Sequence, residues 1–176
     1  MGDARGRREY MGEVDRVSVR RTLPESLKGV VQWIARPVHA AGPQEVGGVI
    51  EFFGELGVMN CPGEMELGIC VFHERPLVLD QMERHALTPE LLYAIDEDFI
   101  AVAAPSEPGG KAPRLSELVA LKVRRGEGLL FQAGCWHWAP YPFSKESFAL
   151  VGFARGTATR DMTIQPLGRT ITISLQ

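Results

Sequence analysis

The chain has 176 residues, 45% of them hydrophobic and 23% charged, with a formal net charge of −3. That is enough chain for one sizeable core, and the slightly acidic balance excludes the basic footprint that nucleic-acid phosphates require. No apolar run reaches the ~20 residues a membrane-spanning helix needs, and three cysteines without CxxC spacing argue against a disulfide framework or a thiolate zinc site. With no hydrophobic stretch near its start to act as a signal peptide, the chain is expected to be cytoplasmic, with a small molecule as its partner.

Residues 1–20 interleave Arg5, Arg7, Arg8, Arg16 and Arg20 with Asp3, Glu9, Glu13 and Asp15, and read as a solvated, partly disordered N-terminal arm. The rest, 21–176, reads as one domain. Thr22-Leu23-Pro24-Glu25 has the form of a capping box, which predicts a short helix over Leu27 to Ile34. The glycines and prolines of 35–48 predict a loop.

From Val49 onward, short apolar runs alternate with turn signals. Strands are predicted at Leu67 to Phe72, Leu77 to His85, Phe99 to Ala103 and Leu129 to Phe131. Val119, Leu121 and Val123 alternate with Ala120 and Lys122 as a half-buried strand does, and Phe148 to Phe153 and Ile171 to Leu175 add two more. Such a chain is all-β, a sandwich or a barrel, with only a few short helices.

Ionisable residues on these apolar strands are the informative ones. Glu83 and His85 are two apart and project from one strand face; they extend the parity of Leu77, Leu79 and Gln81, so that face turns from apolar to polar. His137 sits between Trp136 and Trp138 after Gly134, in a segment that reads as buried, where an imidazole must satisfy both ring nitrogens.

The spacing of these residues resembles the two cupin motifs. Gly126, Gln132, Gly134 and His137 stand at the intervals of the second motif, with Gln132 in place of its proline. Glu83, His85 and Glu90 fill the ligand pair and acid positions of the first motif, with Leu77 at its leading glycine. The resemblance implies a single-domain, jelly-roll-like cupin β-barrel that gathers these side chains in one cavity.

A narrower resemblance runs through Met82-Glu83-Arg84-His85-Ala86-Leu87-Thr88, Pro113-Arg114-Leu115-Ser116-Glu117-Leu118, Gly126-Glu127-Gly128, Trp136-His137 with Pro140, and Arg155-Gly156. In order and spacing these segments, over roughly residues 65–165, are similar to the ureidoglycolate lyase family of allantoin breakdown. The chain departs from that family's pattern at Gln132, Trp138 and Ala154, where the family carries two histidines and an acid.

The resemblance implies cleavage of a ureido-hydroxy acid to glyoxylate and urea. Glu83, His85 and His137 would be catalytic: His137 or Glu83 takes the hydroxyl proton, and His85 donates one or holds a metal. Arg155 would grip the substrate carboxylate, with Gln132 and Trp136 as further substrate contacts. A divalent ion (nickel, zinc, iron or manganese) on His85, His137, Glu83 and Glu90 is implied, with no organic cofactor, and the family is often homodimeric. Two other functions fit the same barrel: a non-catalytic cupin that binds a small carboxylate or sugar derivative, and a metal-dependent dioxygenase or isomerase.

Overall fold

The computed structural model describes residues 15–37, 44–46 and 50–175. It contains thirteen strands: β1 (Arg16–Arg20), β2 (Val31–Ile34), β3 (Gln44–Val46), β4 (Ile50–Phe52), β5 (Met65–His73), β6 (Val78–Arg84), β7 (Glu90–Ala94), β8 (Phe99–Ala104), β9 (Val119–Val123), β10 (Gly128–Phe131), β11 (Trp136–Pro142), β12 (Glu146–Ala154) and β13 (Thr163–Ser174). Among the described residues, helix is confined to single 3₁₀ turns at Glu25–Leu27 and Leu115–Glu117 and to α1 (Thr157–Arg160). No helix among the described residues is long and apolar enough to cross a membrane.

Six strands close a barrel in the order β1-β13-β6-β11-β8-β9, and five form a second sheet in the order β2-β10-β7-β12-β5. This is the expected all-β barrel architecture. It holds two cores. Phe72, Leu92, Phe99, Leu121, Leu129 and Phe131 belong to the first, which contains residues from both sheets. Leu79, Met82, Ile100, Trp136, Tyr141 and Ile171 belong to the second, all from strands of the closed barrel. Each of these large side chains contributes about 1.5–3 kcal/mol by leaving water. The alternation of strand side chains lets β8 and β9 serve both cores: Ala101 and Leu121 face one, Val102 and Ala120 the other.

Four expectations need correction. The segment read as an arm contributes β1, which pairs in parallel with both β13 and β9 and closes the barrel; residues 1–14 lie outside the described residues. The predicted helix over Leu27 to Ile34 is a 3₁₀ turn followed by β2, with no side-chain cap. Gly29 at φ 78° breaks any helix there, and the pairing of Val31–Ile34 with β10 supplies the hydrogen bonds a helix would have made internally. Within the predicted loop 35–48, Gln44–Val46 pairs with Ile50–Phe52.

The fourth concerns β6. Leu79 does not share a face with Glu83 and His85, because both Leu79 and Met82 enter the second core. Two residues three apart on one face break strict alternation. The break coincides with a register jump, where β13 runs from Pro166 to Ile171 while β6 moves only from Gln81 to Leu79. The irregularity leaves Glu83 free to face the first core.

Candidate functional site

Three strands and one loop deliver the polar side chains. On β7, Glu90 starts the row that continues through Leu92 and Ala94 into the first core, so its carboxyl stands at that core's end. On β11, His137 pairs in register with Glu83 of β6, and the preceding residue Trp136 pairs with Arg84. The two faces therefore separate cleanly: Trp136 enters the second core with Arg84 over its ring at 5.0 Å, while His137 stacks flat on Phe131 of the first core, ring centroids 4.6 Å apart. Gly134, at φ 86°, makes the turn that starts β11, and its N–H donates to the His85 carbonyl at 2.7 Å.

His85, Glu90 and His137 are buried together, with ligand-type atoms all within 4.8 Å of one another. His85 Nε2 lies 2.8 Å from Glu90 Oε2. His137 Nε2 lies 3.5 Å from the same oxygen and 3.7 Å from Glu83 Oε1. Those last two distances are long for hydrogen bonds, and among the described residues this buried nitrogen has no partner. Glu83 is the most exposed of the four, at 19% of its side chain.

The other ring nitrogens are committed to backbone. His85 Nδ1–H donates to the Asp161 carbonyl at 2.7 Å, and His137 Nδ1–H to the Cys135 carbonyl at 3.1 Å. Both imidazoles are thereby held with Nε2 turned toward Glu90. Fixing the outer nitrogen with a carbonyl is how metal-binding histidines are commonly oriented.

The charges are mutually dependent. Burial works to raise the Glu90 carboxyl, but the charge of His137 and the hydrogen bond and charge of His85 outweigh it and hold it at about 2. Burial works to lower both imidazoles. For His85 the hydrogen bond and charge of Glu90 prevail, and for His137 the charge of Glu90 does, so both rise above the ordinary histidine value. Glu83 is pushed up by burial, with His137 pulling against that and the Glu90 charge adding to it.

Two imidazole nitrogens and a carboxylate in this arrangement fit a divalent cation such as nickel, zinc, iron or manganese; Glu83 stands outside that trio, 3.7 Å from the His137 nitrogen. The unpartnered His137 nitrogen is the strongest sign of that fit. The structure brings together Glu83, His85, Glu90 and His137.

It does not bring the other expected residues to this centre. Trp136 points to the opposite strand face, and Gln132 lies 3.4 Å from Gln32 and lines a cleft with Arg84. Arg155 is exposed and bonded to Glu64 at 2.7 Å, in a cleft of about 630 Å³ that Thr88, Arg160 and Asp161 also line.

Sequence reasoning missed Asp161. Its carbonyl holds His85, and its carboxylate accepts the N–H groups of Ala86, Leu87 and Thr88 at 2.9, 2.9 and 3.1 Å. One residue thus fixes both the ring of His85 and the loop that leads to Glu90. An acid just after a short helical turn carries no local signal of this role.

No protein-family model matches the chain. No curated protein matches it either. Among solved structures it is similar to dTDP-6-deoxy-D-glucose-3,5-epimerase RmlC from Legionella pneumophila Philadelphia 1, in complex with dTDP-4-keto-L-rhamnose. That match has 12% identity and a TM-score of 0.44, over 62% of this chain and 63% of that one, so the chain spans less than two thirds of that relative. It is also similar to a dTDP sugar isomerase from Desulfovibrio desulfuricans G20, at 14% identity and a TM-score of 0.46, over 77% of this chain and 83% of that one. The fold assignment rests on the strand pairing, and the resemblance to the ureidoglycolate lyases rests on the quoted motifs alone.

Proposed function

We propose that the chain is a small-molecule enzyme of the cupin type that acts on a small hydroxy acid at Glu83, His85, Glu90 and His137, with a divalent cation held by the two histidines and Glu90. The observation that carries this reading is the convergence of two Nε2 atoms on one buried carboxylate while both Nδ1 atoms are tied to backbone carbonyls. A purely structural pair of core histidines has no reason to leave one of those nitrogens unpartnered.

The finer reading is cleavage of a ureido-hydroxy acid, as the motif resemblance implies. A bound cation supplies Lewis acidity that lowers the pKa of the substrate hydroxyl. Glu83, the most exposed member and the one whose carboxyl burial pushes up, is suited to moving a proton. It takes the proton from the hydroxyl; the C=O bond forms as the C–N bond breaks; the departing nitrogen receives the electron pair and a proton returned by Glu83. Products are glyoxylate and urea.

The test is direct. Purified protein should contain about one equivalent of transition metal and release glyoxylate from ureidoglycolate, and chelation should stop the reaction. Metal content without glyoxylate release would discard the substrate and keep the centre; neither would discard both.

A further inference from the structure

On the opposite face of β6 and β11 from the centre lies a cleft of about 420 Å³, with Arg84, Ala86, Ser106, Gly110, Gln132 and Gly134 in its lining. The alternation that turns Glu83 and His137 to the first core turns their neighbours Arg84 and Trp136 the other way, and these two are register partners. Arg84 is half-buried and lays its guanidinium over the fully buried indole, 5.0 Å from the ring centroid. That stacking covers one face of the guanidinium plane and leaves its N–H edges as the groups that can meet a ligand.

Arg84 Nε–H is buried and has no acceptor. Other arginines are committed: Arg21, Arg36, Arg114 and Arg155 each hold a carboxylate, Arg75 holds two backbone carbonyls, and Arg160 one. A charged donor taken out of water without an acceptor costs its full desolvation, and native structures rarely leave one unmet. Among the described residues, Arg84 is also the only charged group lining the cleft.

Its neighbours keep space and donors at the guanidinium edge. Gly110, at φ 72°, brings bare backbone against it, where a Cβ would stand 3.1 Å from Arg84 Nη1. Ser106 Oγ–H is spent on the Gly134 carbonyl at 2.8 Å. Gln132 Nε2 reaches Gln32 at 3.4 Å, which leaves its second N–H uncommitted among the described residues.

We propose that this cleft binds the carboxylate of a small organic acid, received in the fork of Arg84 Nε–H and Nη–H with the Gln132 amide as a further donor. The two oxygens of a carboxylate match that fork. One guanidinium suits a monoanion, whereas a phosphate dianion brings a second negative charge that nothing in the described lining balances. The site lies behind the Glu90 centre, and the proposal does not depend on the chemistry assigned there.

Nuclear magnetic resonance titration of isotope-labelled protein with sodium acetate tests it, against sodium chloride at matched ionic strength. Acetate should shift the Arg84 Nε–H signal saturably, chloride should not, and inorganic phosphate should bind more weakly than acetate. Arg84→Lys keeps the charge and loses the fork, so acetate affinity, read at the Gly134 amide, should fall about tenfold or more. Gln132→Glu sets a like charge in the cleft through a part-exposed side chain and should abolish the shift, which decides the matter if Arg84→Lys does not fold. No saturable shift in the wild type, or unchanged acetate affinity in either folded variant, overturns the proposal. Tighter binding of phosphate than of acetate overturns the assignment to a carboxylate.

Discussion

His85 and Asp161 lie 76 residues apart in the chain and are joined by a 2.7 Å hydrogen bond from the imidazole Nδ1–H to the aspartate carbonyl. That bond survives any change of the Asp161 side chain, but the three N–H groups of Ala86, Leu87 and Thr88 do not keep their acceptor. Asp161→Ala is therefore expected to weaken metal affinity about 10–100-fold, the usual cost of losing an outer-shell partner. Asp161→Asn, with one acceptor oxygen left, should lose less. Metal titration by calorimetry checks both, and equal affinities in all three proteins would remove Asp161 from the positioning role.

His137→Ala should abolish metal-dependent activity while the fold persists, because the imidazole is only one wall of a core that Phe131 and Leu129 continue. The measurement pairs a turnover assay with a thermal melt. Full activity in a folded variant would place the centre elsewhere.

The metal-free protein should show a stability optimum in acid. Glu90 is held at about 2, so its contribution is present above its ordinary 4.5 and is lost as pH falls toward 2. The two histidines are raised, so theirs is fully present below the ordinary 6.5 and is lost as pH rises through their folded values. Glu90 and the two histidines together should stabilise the apo fold most between pH 4.5 and 6.5. Excess metal should extend the plateau upward, since a cation takes the nitrogens that protons vacate. Denaturant midpoints across pH with and without chelator provide the check.

Arg21 binds Glu127 through both guanidinium arms at 2.6 and 2.8 Å, reaches the Lys122 carbonyl at 2.7 Å and stacks over Trp33 at 4.9 Å. It fastens the chain just after β1 to the barrel. Arg21→Ala should cost about 1–3 kcal/mol, and Arg21→Lys most of that, because an ammonium cannot make the paired contact. Urea unfolding of both variants decides it.

Cys135 is fully enclosed, and burial followed by the charge of Glu90 pushes its thiol well above the ordinary range. It should resist alkylation in the native protein. Cys61 and Cys70, both part-exposed, should label before it. Peptide mapping after brief iodoacetamide treatment reads the order, and early labelling of Cys135 would contradict its burial.

Much of this was legible in the sequence, and the misses have physical causes. The alternation of Val119 to Val123 marked β9, because side-chain direction in a strand follows position, and the resemblance to the cupin motifs is what singled out Glu83, His85, Glu90 and His137. β1 was illegible: Arg16–Arg20 has only two apolar residues and is a strand because two others flank it. Val31–Ile34 took its form from β10, not from its own preferences. The apolar run of β5 suggests burial on both sides, yet among the described residues only one is covered.

The parallel seating of β1 between β9 and β13 bears on how the protein is made. Arg16 finds its partner at Thr172, so the seam joins the earliest described strand to the last. On a ribosome, the β1–β13 side of this seam cannot form until β13 has emerged. Closure is then a late step with a large loop entropy to overcome, and a chain stalled before β13 would expose the hydrophobic lining of an open barrel.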